Sequence, residues 1–331
     1  MMLGAVAALA LLGAGIGAQM LAGGEQTAPT ETSTWDASYF PNTALTSHEG
    51  RTVRFFDDLV SGKVVLVNFI FTSCGDTCPL ETARLRQVQK ILGDRVGRDI
   101  YFYSISIDPL HDTPEVLKAY AAKFQVAPGW LFLTGDYDDI TRLRERLGLL
   151  AQGEDPGSLK QHNLSLILGN QATGQWIKVS PFENPYILAD KLANSLQNWK
   201  HAGGVDRDYA QAPAIRPPST GEQLFRTRCS ACHTLGAQAG ELSALHSLGP
   251  DLLGVTRLRD PAWLTRWIKE PDKMLAEGDP LANRLFEQYN HVPMPNLRLA
   301  DSDVNALLGY LETETEHLQR AQSGGSDGSV H

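Results

Sequence analysis

Two cysteine motifs contain the residues of this chain whose types and spacing could do chemistry. Cys74 and Cys78 are separated by Gly-Asp-Thr, and Cys229 and Cys232 precede His233 in a C-x-x-C-H sequence. Cysteine thiolates bind soft metal ions or attack disulfides. The chain has four cysteines, so the two motifs use all of them. The sequence therefore points to redox chemistry or metal handling at two separate places.

The second motif predicts one covalently attached haem c, because C-x-x-C-H is the attachment sequence of c-type haem. Cys229 and Cys232 would form thioethers with the porphyrin vinyl groups, and His233 would be the proximal iron ligand. A zinc site is the competing interpretation, but no second pair of ligands lies nearby in the sequence.

The second axial ligand of this haem is predicted to be Met294. Pro293 and Pro295 flank it, and prolines stiffen a loop that presents the thioether. Met274 is interpreted as a core-filling side chain. His291 is the alternative ligand and would give a bis-histidine haem. A methionine ligand raises the reduction potential relative to histidine.

The first motif lies where a strand is predicted to give way to a helix. Residues 63–71 form a nearly continuous apolar run, typical of a buried strand, and 79–92 are predicted to be helical. A helix N-terminus stabilises negative charge, so we expect lowered thiol pKa values here. A structural disulfide is the alternative, but it would close too short a loop to stabilise the fold much.

The predicted elements alternate as β-α-β-α and then β-β-α, the order of an α/β thioredoxin-like domain. After the strand at 63–71 and the helix at 79–92 come a strand, a helix opening at Thr113-Pro114, a strand, a helix, a hairpin and a closing helix, at 100–107, 113 onward, 130–134, 136–147, 164–168 with 176–179, and 185–199. A Gly- and Pro-containing linker is predicted at 201–218, followed by helices.

The first motif and its surroundings resemble the Sco/SenC family of copper-handling proteins over residues 36–200. The resemblance rests on Cys74, on Cys78-Pro79, on the segments VNFIFTSC at 67–74 and DPLHDTP at 108–114, and on His162. It implies a thioredoxin-like domain that holds one copper ion through Cys74, Cys78 and His162. Asn163 follows His162 where the family more often has serine.

Two aspartates near the first motif have different predicted roles. The resemblance implies that Asp108 lies near the metal loop and supports the ligands from behind. For Asp112, turn geometry and helix capping are a sufficient explanation, and His111 is expected to be simply exposed.

The region around the second motif resembles class I cytochrome c over residues 219–315, which implies an all-α domain. The segment LGPDL at 248–252 is similar to the proline loop of that family, so the Pro250 carbonyl is expected to accept the ring N–H of His233. Residues 306–311 are similar to its C-terminal helix.

The ends of the chain and its charge complete the predicted organisation. Residues 1–22 carry no charge and are predicted to be a membrane anchor, with a cleaved export signal as the alternative. Residues 23–35 are expected to form a tether and 316–331 a disordered tail. The net charge of −9 argues against nucleic acid as a partner.

Together these features predict a periplasmic, membrane-tethered copper chaperone with its own electron carrier, more a metal-delivery and electron-transfer protein than an enzyme. The Sco/SenC resemblance implies delivery of copper to the copper-site subunit of cytochrome c oxidase, and other periplasmic electron carriers are expected partners of the haem. A thiol-disulfide reductase using Cys74 and Cys78 as catalytic residues, and a redox or copper sensor, remain the alternatives.

Overall fold

The computed structural model describes residues 37–75, 77–150, 153–159, 163–198, 217–236 and 248–324. The predicted anchor at 1–22, the tether at 23–35, His162 and most of the predicted linker lie outside these ranges. None of the helices within them is both long enough and apolar enough to cross a bilayer.

The first domain is built on one mixed sheet of seven strands in the order β2-β1-β5-β4-β3-β6-β7. The strands β3, β4 and β5 run parallel to one another, and the remaining pairs are antiparallel. The strands are β1 (Ala44–Ser47), β2 (Thr52–Arg54), β3 (Val64–Ile70), β4 (Ile100–Ser106), β5 (Trp130–Gly135), β6 (Leu166–Asn170) and β7 (Gln175–Val179).

The central strand β3 is apolar almost throughout because it is buried on both faces of the sheet. Every residue of β3 is buried. Successive side chains of a strand point to opposite faces. Val64, Leu66 and Ile70 accordingly join one buried cluster, and Val65 and Val67 join another. Both faces of the sheet are therefore covered, as the continuous apolar run predicts.

Helices cover the two faces of this sheet and confirm the α/β thioredoxin-like fold predicted from the element order. They are α1 (Cys78–Leu92), α2 (Pro114–Lys123), α3 (Tyr137–Arg146), α4 (Pro185–Asp190) with its continuation Lys191–Ser195, and α5 (Leu196–Asn198). Short helical turns occupy Phe55–Val60 and Gly93–Arg95. Thr113 caps α2 by accepting the N–H of Val116.

The second domain is helical in its described residues, as predicted. Its helices are α6 (Thr220–Leu224) with its continuation Phe225–Cys229, α7 (Val255–Leu258), α8 (Pro261–Lys269), α9 (Pro271–Ala276), α10 (Pro280–Gln288) and α11 (Asp301–Gly324). The helices α6 and α11 cross closely at Gly221, where an added Cβ would lie 2.1 Å from the Ala306 carbonyl oxygen. A side chain there would force the helices apart.

The C-terminal helix is longer than the sequence prediction. A disordered tail was expected from residue 316, yet α11 continues to Gly324. The extension is held from outside, because the Arg257 guanidinium bonds to Glu312, Glu316 and Gln319 on successive turns. Residues 325–331 of the predicted tail lie outside the described ranges.

Candidate metal centres

The first cysteine pair lies on the loop that connects β3 to α1. Cys74 follows the strand by four residues, and its backbone N–H donates to the Phe71 carbonyl at 3.3 Å. Cys78 is the first residue of α1, and Pro79 occupies the next position, where its missing N–H costs no hydrogen bond. Both cysteines are thiols, and neither takes part in a disulfide.

The two thiols of this loop differ in environment. Cys78 is fully buried, whereas Cys74 is partly exposed. The backbone N–H of Cys78 points at the Cys74 sulfur, 3.5 Å away. An N–H donor favours the anionic form of the sulfur that accepts it. Cys74 is therefore the more accessible thiol and the one that receives the first N–H of the helix.

The expectation of a lowered thiol pKa is wrong for Cys78. Its hydrogen bond with the Cys74 side chain, followed by burial, raises its pKa well above the ordinary value. The helix N-terminus therefore does not outweigh desolvation at this position. Without a metal, Cys78 is a buried thiol that has to lose its proton when a cation binds.

A buried polar chain supports α1 just below the cysteines. Asn68 on β3 donates to the Glu81 carboxyl at 2.8 Å and accepts from the Ser104 hydroxyl at 2.7 Å. Trp130 Nε1 donates to the same hydroxyl at 2.9 Å. Burial raises the pKa of Glu81 to about 8. A carboxyl that is mostly neutral at neutral pH thus lies one helical turn after Cys78, so Glu81 places little negative charge beside the thiols.

Asp112 ties the cysteine loop to the end of the neighbouring strand. It is buried, and its carboxylate accepts the backbone N–H of Thr72 at 3.1 Å together with the hydroxyls of Thr72 and Ser106. Thr72 lies two residues before Cys74. Asp112 therefore orients the loop, a role that capping and turn geometry did not predict, since Thr113 is the cap.

Asp108, predicted to support the metal loop, bonds to His111 in the structure. The Asp108 carboxylate lies 2.8 Å from His111 Nδ1, and the imidazole is exposed. The structure thus gives the contact with the cysteine loop to Asp112, four residues further along the same turn.

The third predicted ligand of the first centre, His162, lies outside the described residues. The chain on its C-terminal side leads into β6, which begins at Leu166 and pairs antiparallel with β3. Val67 faces Ile167 in this pairing. The start of β6 therefore lies beside the end of β3 from which the cysteine loop departs.

The second motif occupies a tight turn at the end of the helix Phe225–Cys229. The Cys229 carbonyl accepts the backbone N–H groups of Cys232 at 3.1 Å and His233 at 3.0 Å. The loop 248–252 then closes against this turn, with Gly249 N–H donating to the Cys232 carbonyl at 2.9 Å. Both haem cysteines and the histidine are thus held by backbone hydrogen bonds.

The ring of His233 is oriented by the proline loop. Its Nδ1 lies 2.8 Å from the Pro250 carbonyl oxygen. Because a carbonyl can only accept, Nδ1 carries the proton and Nε2 keeps its lone pair for a metal. Burial lowers the pKa of His233, which also favours the neutral ring. Gly249 makes room for it, since a Cβ there would lie 2.6 Å from His233 Cε1.

One apolar crevice contains all four groups predicted to bind haem. Cys229, Cys232, His233 and Met294 line it together, and about 1290 Å³ within it is not filled by protein atoms, part of this space being open to solvent. Its other walls are mainly hydrophobic, including Leu248, Leu252, Trp263, Trp267, Ile268 and Leu307. Two thiols, a neutral imidazole and a thioether around an apolar crevice fit a covalently attached haem.

The two alternative axial ligands are placed differently. Met274 is fully buried and packs with Trp267 and Ala282, as a core-filling side chain. His291 is exposed, has a left-handed backbone with φ 56°, and its ring meets Phe286 edge to face at 5.0 Å. Met294 is therefore the one of the three that lines the crevice.

Comparisons with known proteins match two families, each over one part of the chain. Residues 33–197 match the SCO1/SenC family model, and residues 218–315 match the cytochrome c family model. The chain joins an SCO1/SenC domain to a cytochrome c domain. The prediction of copper and haem c as the cofactors is confirmed at the level of these two families.

Individual relatives match part of the chain. The SCO1 protein homolog of Bacillus subtilis is 37% identical over 90 residues, which is 27% of this chain and 45% of that protein. The SCO2-like protein of Rickettsia felis is 31% identical over 129 residues, 38% of this chain and 61% of that protein. The chain thus spans less than two thirds of either relative.

Two solved structures are similar to parts of this chain. ScoI of Bradyrhizobium japonicum, determined with copper bound, is 25% identical, with a TM-score of 0.38, and the match covers 45% of this chain and 94% of that one. The cytochrome c domain of the pp3183 protein from Pseudomonas putida is 55% identical, with a TM-score of 0.28, over 34% of this chain and 99% of that one.

Proposed function

We propose that this protein delivers copper and carries its own single-electron carrier to control the oxidation state of that copper. The observation that carries the proposal is the presence of two sulfur-containing sites in one compact unit, a partly exposed cysteine pair and a largely apolar haem crevice. The open pair suits a cargo that has to leave, and the crevice suits a permanent group.

Copper is the cargo that fits the first site best. Cys74 and Cys78 supply two soft sulfur donors, and His162 supplies an imidazole, a set suited to Cu(I) and, with an added ligand, to Cu(II). The antiparallel pairing of β6 with β3 supports His162 as the third ligand. The Asp112 carboxylate holds the loop by accepting the N–H and the hydroxyl of Thr72, so the sulfurs need little rearrangement when the ion binds.

The haem crevice fits a copper reaction better than a dithiol reaction. Bound haem supplies a store for one electron. Reducing Cu(II) to Cu(I) takes one electron, whereas reducing a disulfide takes two. In the crevice, His233 stays neutral and oriented through Pro250, and Met294 supplies a thioether that favours the reduced state.

We further propose that the protein works on the periplasmic side of the inner membrane, held there by residues 1–22. The proposal is supported by c-type haem, which is attached outside the bacterial cytoplasm, and by the uncharged N-terminal sequence. The recipient would be the copper-site subunit of cytochrome c oxidase, as the Sco/SenC resemblance implies, and the source of electrons another periplasmic carrier.

Rapid mixing tests the coupling of haem and copper. Protein with reduced haem is mixed with one equivalent of Cu(II), while haem absorbance and the paramagnetic signal of Cu(II) are followed together. We expect one Cu(II) to disappear for each haem oxidised. The Cys74→Ala variant is the control, because its haem crevice is unchanged. Loss of Cu(II) without haem oxidation would contradict the proposal.

A thiol-disulfide reductase is the second candidate, favoured by the asymmetry of the pair. An accessible Cys74 beside a buried Cys78 is the arrangement in which one thiol attacks and the other resolves. The His162→Ala variant separates the two functions. Loss of oxidase maturation with intact thiol exchange supports copper delivery, and full retention of both supports the reductase.

A further inference from the structure

The helix that begins at Cys78 also contacts the cytochrome c domain. On α1, Arg84 Nη2 donates to the carbonyl oxygens of Arg226 at 2.9 Å and Thr227 at 3.2 Å. Both carbonyls belong to the last turn of the helix that ends at Cys229. The C-terminal end of a helix carries partial negative charge, so a guanidinium is stabilised there.

Gln87 extends this contact to the haem motif itself. Its side-chain oxygen accepts from Arg84 Nη1 at 2.8 Å, and its Nε2 donates to the Ser230 carbonyl at 2.6 Å. Ser230 lies between Cys229 and Cys232. Two side chains one turn apart on α1 therefore bind three backbone carbonyls within residues 226–230, beside the haem cysteines.

The burial of Arg84 shows that this contact is built into the fold. Arg84 is 2% exposed, and burial lowers its pKa. Burying a guanidinium is costly unless its N–H groups find acceptors. Two of the three acceptors of Arg84 belong to the cytochrome c domain. With that domain undocked, the side chain would lose those carbonyls and face water.

Apolar side chains seal the same interface. Leu80, two residues after Cys78, lines the haem crevice together with Met294. From the other side, Ala231, Leu248 and Val292 of the cytochrome c domain belong to the hydrophobic cluster that contains α1. Leu80 of the first domain thus contributes to the lining of the crevice.

Two contacts at the margin of the interface add to this docking. Asn290 Nδ2 donates to the Lys123 carbonyl at 3.1 Å, at the end of α2. The Arg228 guanidinium lies over the Phe182 ring, 5.1 Å from its centroid. These contacts involve Lys123 and Phe182, which lie outside α1. The second domain is therefore held at several points of the first domain.

We propose that α1 is a built-in docking site for the cytochrome c domain, with Arg84 and Gln87 as positioning residues that hold the haem motif against it. In the docked state Leu80 of α1 shields the haem crevice, and the crevice stays next to the helix that starts at Cys78. This deepens the proposed function and takes its biological meaning from it, but docking is measurable without copper.

The test is hydrogen exchange, with haem potential as a second readout, on the full-length holoprotein without copper. The Arg84→Glu variant places a carboxylate against the carbonyls of Arg226 and Thr227. We expect amide exchange in α1 and in residues 225–233 to rise by about tenfold or more, because their protection includes the docked state. The haem potential should fall as water reaches the crevice.

Two further variants make the result decisive. Gln87→Glu keeps the size of the side chain but sets a carboxylate against the Ser230 carbonyl, and it should raise exchange in the same segments by a smaller factor. Arg142→Glu is the matched control, because Arg142 is exposed on α3, whose buried residues join the cluster on the opposite face of the sheet. It should change neither exchange nor potential.

The outcomes separate docking from the proposed function. Unchanged exchange and potential in both Arg84→Glu and Gln87→Glu would overturn the docking site. If Arg84→Glu does not fold, Gln87→Glu decides alone. Docking that is shown by these variants, in a protein whose haem does not reduce Cu(II), would overturn the proposed function and leave the docking site standing.

Discussion

The two metal centres of this chain differ in how much of each site is enclosed. The haem groups Cys229, Cys232, His233 and Met294 line a single apolar crevice, and the histidine is locked by Pro250. The copper cysteines share one loop, where Cys74 remains partly exposed. An enclosed site retains its group, and a partly exposed site can pass its ion to a partner. The contrast supports one permanent cofactor and one cargo.

The largest effect on cofactor content should come from removing one cysteine pair or the other. Cys229→Ala with Cys232→Ala should abolish covalent haem entirely, because no thiol remains for thioether formation. Cys74→Ala with Cys78→Ala should leave covalent haem in full and abolish sulfur ligation of copper. Haem that stays with the denatured protein, and copper bound per chain, measure the two results.

The same two double variants can contradict the assignment of one metal centre to each cysteine pair. Covalent haem retained after removal of Cys229 and Cys232 would contradict the assignment of the second motif. Copper retained with sulfur ligation after removal of Cys74 and Cys78 would contradict the assignment of the first.

An intermediate effect, on copper affinity, is expected from substituting Asp112. This variant tests whether Asp112 positions the cysteine loop. Asp112→Asn replaces one of the two acceptor oxygens with an NH₂ donor, so the side chain can no longer accept the Thr72 hydroxyl on one side and Thr72 N–H with the Ser106 hydroxyl on the other. We expect copper affinity to fall by about 10- to 100-fold, as for other residues that orient metal ligands. Competition with a chelator measures it.

Asp108→Asn is the matched control for this prediction. Asp108 bonds to the exposed ring of His111, and among the described residues of the cysteine loop it has no hydrogen-bond partner. Its substitution should leave copper affinity nearly unchanged. An equal loss of affinity in both variants would show that Asp112 has no special role in positioning Cys74.

The smallest effect concerns the buried carboxyl below the open site. Burial raises the pKa of Glu81 from 4.5 to about 8, so the folded protein holds a proton that the unfolded chain loses. Stability of the metal-free protein should therefore fall as pH rises from about 4.5 to 8, by on the order of a few kcal/mol. Denaturant unfolding across this range measures it.

Glu81→Gln removes the titration and should flatten this part of the pH profile. Glu145→Gln, at an exposed position on α3, is the matched control and should keep the wild-type slope. An identical slope in the wild type and Glu81→Gln would contradict a neutral carboxyl beneath the cysteines.

Much of the fold follows from local sequence patterns. Long apolar runs such as the one at β3, and capped helix starts such as Thr113-Pro114, are strong signals and predict the right elements. The strands β1 and β2 were not predicted, since they are only four and three residues long. The extension of α11 depends on Arg257, a contact between distant residues that local patterns do not contain.

The sites show the same limit. The residues that line the haem crevice together could be singled out because C-x-x-C-H and the proline-flanked Met294 are local motifs. The roles of Asp112 and Arg84 could not, because each depends on a partner from another element: Thr72 for Asp112, and the carbonyls of Arg226 and Thr227 for Arg84. A helical arginine normally predicts a solvated surface, and only the docked second domain changes that interpretation.

Metal analysis combined with optical and paramagnetic spectra of the purified protein tests the central claim most directly. We expect one copper per chain with sulfur ligation through Cys74 and Cys78, together with one low-spin haem ligated by His233 and Met294. A protein that carries the haem but binds no copper, or binds it without sulfur ligation, would contradict it.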